Sequence, residues 1–377
     1  MTEQPRPERP LRVLHLTGSP TSGLMAELSV LYAADCLAAT ADPERYDALV
    51  AHVSPDGRWR FPTDLSPAAL ASATPVDLAR AVAEIQAFAP DVAVPQLFCL
   101  AGMTTYRALL DLLGVPFVGN TPDVMAVAAH KARAKAVVAA AGVRVPRGEL
   151  LRRGDGSRQA RPTMELPVVV KPVDADNSSG VSLVREADEL DDALAAAYDH
   201  SAEVLVEEYV ELGREVRCGV LEVDDRLVGL PLEEYAVDRD TKPVRGHDDK
   251  LRRDASEGSE GSEGSDGRLA LVAKSEEYAW IVDPADPLTA RVHEAAYAAH
   301  RALGCRDYSL FDFRVDADGE PWFLEAGLYC SYATTSVVAV MAAAAGTPLP
   351  ELFRAGVEQA LARRTPAPAP TTGGSTT

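Results

Sequence analysis

Short apolar runs alternate with helical stretches over the first third of the chain. Three of these runs predict strands, at 12–16, 48–53 and 91–96. Three predicted helices accompany them, at about 25–39, 77–88 and 103–114. Because strands that alternate with helices are typical of a parallel sheet, we expect a parallel α/β domain over residues 11–120.

The pattern of apolar positions changes at Thr121. The Ala-rich segment 123–142 predicts one long helix that ends at Gly142. Further strands are predicted at 167–173, 181–184, 204–210 and 214–223, and further helices at about 187–199 and 288–303. The chain then predicts a hairpin that turns at 316–319 and a closing helix that runs to about Arg364.

Three segments have compositions that do not predict a packed structure. Residues 1–10 are rich in proline and charge, and residues 365–377 in threonine, proline and glycine, so both ends are predicted to be disordered. Residues 254–267 form a Ser/Gly/Glu repeat, which predicts a flexible insert over 239–268. A lid and a solvated insertion both fit this repeat, and its composition favours the solvated insertion.

Composition narrows the classes of function. The 377 residues are 47% apolar, which is enough to form the cores of two or three domains. A formal net charge of −20 argues against general nucleic-acid binding, because phosphate backbones would be repelled. No segment is apolar over the roughly 18 residues of a membrane span, and the N-terminal residues do not resemble an export signal. The five scattered cysteines fit reduced thiols, so we expect a cytoplasmic protein without nucleic-acid or membrane partners.

The predicted hairpin carries the strongest chemical signal. Alternation along its first strand places Leu310, Asp312 and Arg314 on one face, and Glu325 ends the partner strand. The hairpin can therefore bring Asp312 and Glu325 together, among aromatic neighbours that predict burial. Two carboxylates held close to each other repel, and a divalent cation relieves that repulsion. A solvated hairpin with incidental acids is the alternative, and the apolar neighbours weaken it.

Two more segments place charge at the end of apolar strands. Lys171 follows an apolar run, where burial would be costly unless an anion is close. The polar loop 174–182 follows it and offers hydroxyls and backbone amides of the kind that can close over phosphates. Glu207, Glu208 and Glu215 follow another apolar strand and could accept from an adenine amino group and from ribose hydroxyls. Taken alone, either segment could also be an ordinary strand end at the surface.

These segments occur in one order with one spacing, and together they resemble the ATP-grasp superfamily, in particular its D-alanine–D-alanine ligase branch. The resemblance covers most of the chain and is carried by the segments 112–146, 166–172, 204–216 and 302–327. It implies an α/β protein with α+β character in its second part. The implied arrangement is an N-terminal Rossmann-like parallel-sheet domain at 11–120, an ATP-grasp small lobe at 121–205 and a C-terminal lobe at 206–364.

The resemblance also implies roles at the matching positions. The residues implied to hold ATP are Lys131, Lys171, Ser178, Ser179, Glu207, Glu208, Val210 and Glu215. Asp312 and Glu325 are the implied Mg²⁺ ligands, with Glu325 bridging two ions, and Mn²⁺ could substitute for Mg²⁺. Lys274 matches a loop lysine that reaches the γ-phosphate, an assignment that depends on how the insert is aligned.

The sequence departs from the family pattern beside the implied metal site. The family's Glu-x-Asn motif ends here in Gly327, which has no side-chain ligand. The family's arginine two residues before the metal-binding Asp is Leu310 here. Because Arg314 lies on the same strand face, we predict that it replaces that arginine in catalysis.

Other departures lie where the family meets its substrates. The segment 96–110 replaces the His-Gly and Gly-Glu-Asp-Gly motifs of the D-alanine enzymes. The N-terminal acid that meets the first substrate's ammonium falls near Met25, with Glu27 close by, whereas Ser336 keeps the position of a serine near the second substrate. The nucleotide positions are mostly retained, so we expect an ATP-dependent ligase that differs from the cell-wall enzymes in its substrates.

The expected reaction joins a small-molecule carboxylate to an amine. The carboxylate, of amino-acid type, would be activated as an acyl phosphate, and the dipeptide or amide product would be released with ADP and phosphate. Specialised metabolism, such as antibiotic biosynthesis, would use such a ligase. Two alternatives stay open: a nucleotide-binding protein with altered catalysis, and a ligase with a hydroxyl or thiol acceptor. Related enzymes are often dimers, so a homodimer also stays open.

Overall fold

The computed structural model describes residues 9–153, 161–175, 179–238 and 278–363. The predicted insert at 239–268, the C-terminal segment 365–377 and residues 1–8 of the N-terminal segment lie outside these described residues.

The first third of the chain forms a four-stranded sheet with helices. Its elements are β1 (Leu11–Gly18), α1 (Gly23–Ala39), β2 (Tyr46–Val53), β3 (Trp59–Arg60), α2 (Pro67–Ser72), α3 (Leu78–Phe88), β4 (Val92–Pro95), a π-helical turn (Gly102–Tyr106) and α4 (Arg107–Leu112). The strand order is β3-β2-β1-β4. β1 pairs in parallel with β2 and with β4, and the short β3 runs antiparallel to β2. The predicted strands and their parallel arrangement are confirmed.

The rest of the described chain forms two further sheets. Its elements are α5 (Pro122–Ala128), α6 (Lys131–Ala140), β5 (Gly148–Arg152), β6 (Val168–Pro172), β7 (Ser182–Val184), α7 (Leu190–Tyr198), β8 (Glu203–Glu208), β9 (Arg214–Val223), β10 (Arg226–Gly229), β11 (Glu233–Tyr235), β12 (Ala279–Ile281), α8 (Pro287–Leu303), β13 (Tyr308–Val315), β14 (Pro321–Ala326), α9 (Val337–Ala344) and α10 (Leu349–Ala362). The small sheet has the order β5-β8-β6-β7, and the large sheet has the order β12-β11-β9-β13-β14 with β10 paired to β9.

The prediction of one long helix at 123–142 is wrong, because the segment is broken at His130. The backbone of His130 is extended, with φ −113° and ψ 100°, and its Nδ1 accepts from the Arg133 amide at 3.4 Å, which caps α6. The next amide, that of Lys131, donates to the Val173 carbonyl at 2.9 Å. The break therefore ties the start of α6 to the end of β6. Alanine favours helix on both sides of it, so propensity alone does not reveal the break.

The predicted closing helix is α10, which ends at Ala362, and it follows α9 at a bend of 111°. Gly346 follows α9 with a φ of +87°, a left-handed conformation that ends helices. Pro348 precedes α10 and lacks the amide that a continuing helix would need. No single helix among the described residues is long and apolar enough to cross a membrane. The bent pair of α9 and α10 reaches that length and apolar composition only when its two helices are counted together.

The β13–β14 hairpin is buried on its aromatic face, as its sequence predicts. Phe311, Phe313 and Phe323 are fully buried, and their ring centroids lie 5.8–6.5 Å apart. They pack in one core with residues of α8 such as Val292. Because successive strand residues point to opposite faces, this packing directs Asp312 to the other face of the large sheet. The cysteines, also as predicted, are free thiols.

Three buried histidines make the folded protein sensitive to acid. Burial lowers the pKa of His15, His52 and His300 from 6.5 to about 4. The unfolded chain therefore binds more protons than the folded chain between pH 4 and 6.5, and stability is lost as the pH falls through that window. We expect each histidine to cost about 2 kcal/mol of unfolding free energy at pH 5 relative to pH 7.5.

Denaturant unfolding at several pH values measures this effect. A His300→Gln variant should show a shallower loss of stability between pH 7.5 and pH 5 than the parent protein. Replacing the exposed His200 by Gln is the matched control and should leave the slope unchanged. A parent protein whose stability is constant over this range would contradict the prediction.

Candidate active site

A pocket opens between the small sheet and the large sheet. Its lining residues are Lys131, Pro146, Val169, Lys171, Ala175, Val181, Glu207, Glu208, Val210, Glu215, Asp312, Arg314, Leu324 and Glu325. The space free of protein atoms, including the open mouth, is about 720 Å³, which lies in the range of small-molecule sites. The structure thus brings nine of the residues predicted for the site to one place.

Lys171 meets a buried carboxylate in this pocket. It alternates with Val169 along β6, so both side chains face the pocket. Lys171 Nζ lies 2.5 Å from Glu207 Oε2, and Lys135 Nζ contacts the other oxygen of Glu207. Burial favours the neutral acid, but the two lysines outweigh it and hold the pKa of Glu207 below its usual value. Glu207 therefore binds two lysines, a role that the sequence does not predict.

Lys135 is a residue that sequence reasoning missed. It lies one helical turn after Lys131 on α6. This spacing places both lysines on one helix face, and it is the feature of the sequence that could have identified Lys135. Burial lowers the pKa of Lys135 to about 7, although the attraction of Glu207 opposes this shift. Lys135 is absent from the pocket lining, so it lies behind Glu207 as a supporting charge.

Lys131 reaches the pocket because α6 starts at that residue. Its Nζ donates to the Ala175 carbonyl at 2.6 Å, and it lies 3.4 Å from Glu325 Oε2. Ala175 belongs to the polar loop after β6, which the sequence predicts to close over phosphates. The break at His130 therefore places one lysine between that loop and the carboxylate of the hairpin.

The hairpin joins Asp312 and Glu325, as its sequence predicts. The two residues are register partners across β13 and β14, and a bulge follows between Asp312 and Phe313. Successive strand residues normally point to opposite faces, but a bulge re-aims one of them. Here both Leu324 and Glu325 line the pocket. The bulge thus adds an apolar wall beside the acidic pair.

Arg217 is a second residue that the sequence analysis missed. It lies opposite Asp312 in the register of β9 and β13. Its Nη2 donates to Asp312 Oδ2 at 3.2 Å, and its Nε contacts the other carboxylate oxygen. The side chains of Arg217 and Asp312 are 17% and 5% exposed, so this is a buried ion pair. The sequence offers only a weak signal, an arginine on the same strand face as Glu215.

Arg314 is a third basic side chain of the pocket lining. Its Nη2 donates to Glu215 Oε2 at 2.9 Å and its Nη1 to the Val210 carbonyl at 3.2 Å. The guanidinium also lies 5.3 Å from the centroid of the Tyr209 ring. Glu208 accepts from the Arg147 amide at 2.8 Å. These contacts hold Arg314 between Glu215, the Val210 carbonyl and the Tyr209 ring, and its predicted catalytic role stays a prediction.

Four predicted residues lie outside the lining. Lys274 and Ser178 fall outside the described residues. Ser179 is described but is not among the lining side chains. Ser336 precedes α9, and its Oγ lies 3.6 Å from Cys330 Sγ. Their roles stay predictions.

The structure leaves room for a side chain at Gly327. Its amide donates to the Leu310 carbonyl at 2.8 Å. A Cβ built there would meet nothing closer than Leu310 Cδ2 at 3.9 Å, an ordinary contact distance. Gly327 therefore lacks the side-chain oxygen of the family's asparagine, and a lack of space for a Cβ at this position does not explain the difference.

Restoring that asparagine is a direct test of the metal site. A Gly327→Asn variant should fold with an unchanged melting temperature and bind Mn²⁺ on the order of tenfold more tightly in the presence of nucleotide, because it adds an oxygen ligand. Electron paramagnetic resonance of free Mn²⁺ during a titration measures the affinity. Gly327→Ala is the control, since it adds the Cβ without the oxygen. Equal affinities of the two variants would contradict the prediction.

The donor atoms of the pocket fit a Mg²⁺ ion. Among the residues that the structure describes, no group of three or more His, Cys, Asp or Glu side chains could hold a metal by itself. Mg²⁺ in phosphate-transfer sites is bound by one or two carboxylates together with substrate phosphates and water, so Asp312 and Glu325 suffice. In the structure Arg217 and Lys131 balance the charge of these carboxylates.

Known proteins resemble this chain in sequence. The family model described as D-ala D-ala ligase C-terminus matches residues 137–241. A D-alanine–D-alanine ligase from Mycolicibacterium paratuberculosis is 32% identical over 351 residues, which cover 85% of this chain and 89% of that protein. The enzyme of the same name from Mycolicibacterium smegmatis is 33% identical over 360 residues, which cover 86% of this chain and 89% of that protein.

Solved structures resemble it in fold. The VanG D-Ala:D-Ser ligase from Enterococcus faecalis matches with a TM-score of 0.72 at 21% identity, covering 93% of this chain and 100% of that one. The D-alanine–D-alanine ligase from Bacillus anthracis complexed with ATP matches with a TM-score of 0.66 at 20% identity, covering 94% of this chain and 98% of that one.

The fold, the pocket between two sheets and these relatives define an ATP-dependent ligase that forms a C–N bond. The predicted fold class and enzyme class are confirmed. At this identity and coverage, the chain belongs to the D-alanine–D-alanine ligase family, a branch of the ATP-grasp superfamily. Enzymes of this family act on small-molecule carboxylates and amines and generally use ATP with Mg²⁺.

Proposed function

We propose that this enzyme phosphorylates an amino-acid-type carboxylate with ATP and joins the resulting acyl phosphate to the amine of a second small molecule. The products are an amide or dipeptide, ADP and phosphate. The observation that carries the proposal is the convergence of Lys131, Lys171, Asp312 and Glu325 in one pocket between the sheets. These side chains supply the charges that a transferring phosphoryl group requires.

The apolar lining is suited to the base of a nucleotide. Val169 and Val181 belong to the small-sheet side of the pocket, and Leu324 belongs to the large sheet. A planar base between them would bury apolar surface on both sides. Glu215 lies farther along the same lining and is suited to accept from ribose hydroxyls, with Arg314 holding its carboxylate in place.

The phosphates would lie toward Lys131 and Lys171. In the first step a substrate carboxylate oxygen bonds to the γ-phosphorus, and the bond from that phosphorus to the bridging oxygen of ADP breaks. The two lysines donate to phosphate oxygens and balance the charge that develops there. Mg²⁺, when bound at Asp312 and Glu325, supplies further positive charge at the same oxygens. In the second step an amine nitrogen bonds to the acyl carbon, the bond from that carbon to the phosphate oxygen breaks, and phosphate leaves while the amine loses one proton to solvent.

The substrate-facing segments support a substrate other than D-alanine. Phe98, in the segment that replaces the family's polar motifs, packs against Tyr329 with centroids 5.6 Å apart and against Tyr32 at 5.7 Å. Tyr329 lies four residues after Glu325, so this aromatic group borders the strand end that carries the metal carboxylate. Phe98 itself is buried, whereas Tyr329 is 39% exposed, and its ring would favour a substrate side chain larger and more apolar than a methyl group.

Measuring ADP release from pairs of amino acids tests the proposal. Purified enzyme with ATP and Mg²⁺ is offered D- and L-amino acids in all pairwise combinations, and the products are identified by mass spectrometry. We expect ADP release to depend on two partners and to be greatest when one of them has a large apolar side chain.

The product mass distinguishes the alternatives. A mass equal to the two substrates less one water, with an amide nitrogen, supports the proposal. An ester or thioester product would establish a hydroxyl or thiol acceptor instead. Efficient condensation of two D-alanines, with no other pair faster, would contradict the proposed difference in substrate.

A further inference from the structure

A row of charged side chains crosses one face of the large sheet. The register pairs Glu233 of β11 with Arg217 of β9. It pairs Arg217 with Asp312 of β13, and Asp312 with Glu325 of β14. The order across the sheet is therefore acid, base, acid, acid. Sequence reasoning identified the last two members, and the first two follow only from the sheet topology.

Arg217 lies between two carboxylates of this row. On one side its guanidinium contacts both oxygens of Asp312. On the other side lies Glu233, its register partner, whose Oε2 accepts from the Tyr235 hydroxyl at 2.5 Å. The guanidinium also lies over the Tyr235 ring, 5.4 Å from its centroid.

This arrangement limits how Asp312 can bind a metal ion. Both of its oxygens are engaged by Arg217, and the pair is buried. A divalent cation that binds Asp312 must therefore displace at least one charge-assisted hydrogen bond, which is among the stronger polar contacts in proteins. The displaced guanidinium would still need an anion beside it, because an unpaired buried charge is costly. Glu233 is the acid that the sheet places on its other side.

We propose that Arg217 is a built-in counter-ion that competes with the divalent cation for Asp312, and that Glu233 receives the guanidinium when the cation binds. The inference rests on the proposed function, since it takes Asp312 as a metal ligand. Arg217 acts through Asp312 and is a positioning residue. Its effect is to keep metal affinity low until nucleotide phosphates add their own ligands, so that metal and nucleotide bind together.

Titrations with Mn²⁺ alone, and with Mn²⁺ plus a non-hydrolysable ATP analogue, test this competition. Free Mn²⁺ is measured by electron paramagnetic resonance on the full-length protein. Arg217→Gln removes the competing charge, and we expect it to tighten Mn²⁺ binding about tenfold or more. Glu233→Gln weakens the second position of the guanidinium, and we expect it to loosen Mn²⁺ binding several-fold. If both residues only maintained the fold, the two substitutions would not be expected to change Mn²⁺ affinity in opposite directions.

Arg214 provides the matched control. It lies on the same strand but on the opposite face, where it pairs with Glu234 at 2.6 Å and Asp286 at 2.7 Å. Arg214→Gln makes the same change in net charge, so it measures the effect of charge alone. We expect its Mn²⁺ affinity to equal that of the parent protein. If Arg217→Gln does not fold, Arg217→Lys keeps a cation with poorer geometry and should still tighten Mn²⁺ binding, by a smaller factor.

Unchanged or weaker Mn²⁺ binding in folded Arg217 variants would overturn the inference and leave the proposed function intact. Tighter binding in Glu233→Gln would also overturn it. Failure of the parent protein to bind Mn²⁺ in the presence of nucleotide would overturn the metal role of Asp312, and with it the proposed mechanism.

Discussion

Replacing Lys171 by methionine is expected to lower the rate of ADP formation about a thousandfold, because it removes a positive charge at the phosphates of the nucleotide. Lys171 lines the pocket, and its Nζ lies 2.5 Å from a carboxylate that a second lysine also contacts. Glu207 would therefore keep one lysine partner in the variant. A coupled assay of ADP release at saturating ATP and Mg²⁺ measures the effect.

Lys135→Met is the control for this experiment. It removes the other lysine of Glu207, so the two variants leave the same carboxylate with one partner each. Because Lys135 does not line the pocket, we expect its replacement to change stability as much as that of Lys171 while lowering turnover less than about tenfold. Equal losses of turnover in the two variants would show that Lys171 acts only by supporting Glu207.

Local sequence patterns were sufficient to predict which residues pair in the acidic hairpin of β13 and β14. Alternating positions in β13 and the apolar neighbours of both strands determine which side chains share a face, and a turn between them determines which residues meet. Asp312 and Glu325 could therefore be paired from the sequence, and the structure confirms their register. The parallel strands of the first third were predicted from short apolar runs separated by helical stretches, and the structure confirms them.

Contacts between distant segments could not be predicted in this way. Arg217 and Asp312 are 95 residues apart in sequence, and their pairing depends on β9 lying beside β13. The contact of Lys135 with Glu207 joins a helix to another sheet across 72 residues. The family resemblance implied no role for either residue, and each could equally have been a surface charge. Because Arg217 and Lys135 are buried, each needs a carboxylate partner, and their burial follows from the tertiary fold and not from local sequence.

Two local features of the backbone were also not predicted from the sequence. The helix break at His130 is capped by a histidine, a weak capping residue within an alanine-rich stretch that otherwise favours helix. The bulge after Asp312 shifts the register of a hairpin whose alternation looks regular in sequence. Both features serve the pocket: the first places Lys131 at the start of α6, and the second adds Leu324 to the lining beside Glu325.

The charge of the pocket predicts that a divalent cation accompanies the nucleotide. The lining contains three basic side chains, Lys131, Lys171 and Arg314, and five acidic ones, Glu207, Glu208, Glu215, Asp312 and Glu325, which leaves an excess of two negative charges. Lys135 and Arg217 offset this excess from behind the lining, where they pair with Glu207 and Asp312, so the pocket has no surplus positive charge to neutralise a polyphosphate unless divalent cations enter with it. Chelation of Mg²⁺ is therefore expected to abolish both turnover and tight ATP binding.

Replacing Glu325 by glutamine should separate these two effects. The variant loses a proposed metal ligand, so we expect ADP formation to fall at least about a hundredfold and the Mg²⁺ concentration for half-maximal rate to rise. It also removes one negative charge from the lining and frees Lys131, 3.4 Å away, from its acidic neighbour. Metal-free ATP, measured by calorimetry with chelator present, should therefore bind more tightly to the variant than to the parent protein.

Glu320→Gln is the matched control, because Glu320 belongs to the same hairpin but pairs with Arg144 at 3.4 Å and Arg291 at 3.6 Å away from the pocket. It should leave turnover, the Mg²⁺ requirement and metal-free ATP binding unchanged. A Glu325→Gln enzyme with full turnover at the parental Mg²⁺ concentration would remove Glu325 from the metal site. Weaker binding of metal-free ATP in that variant would instead show that its carboxylate positions Lys131 for the phosphates.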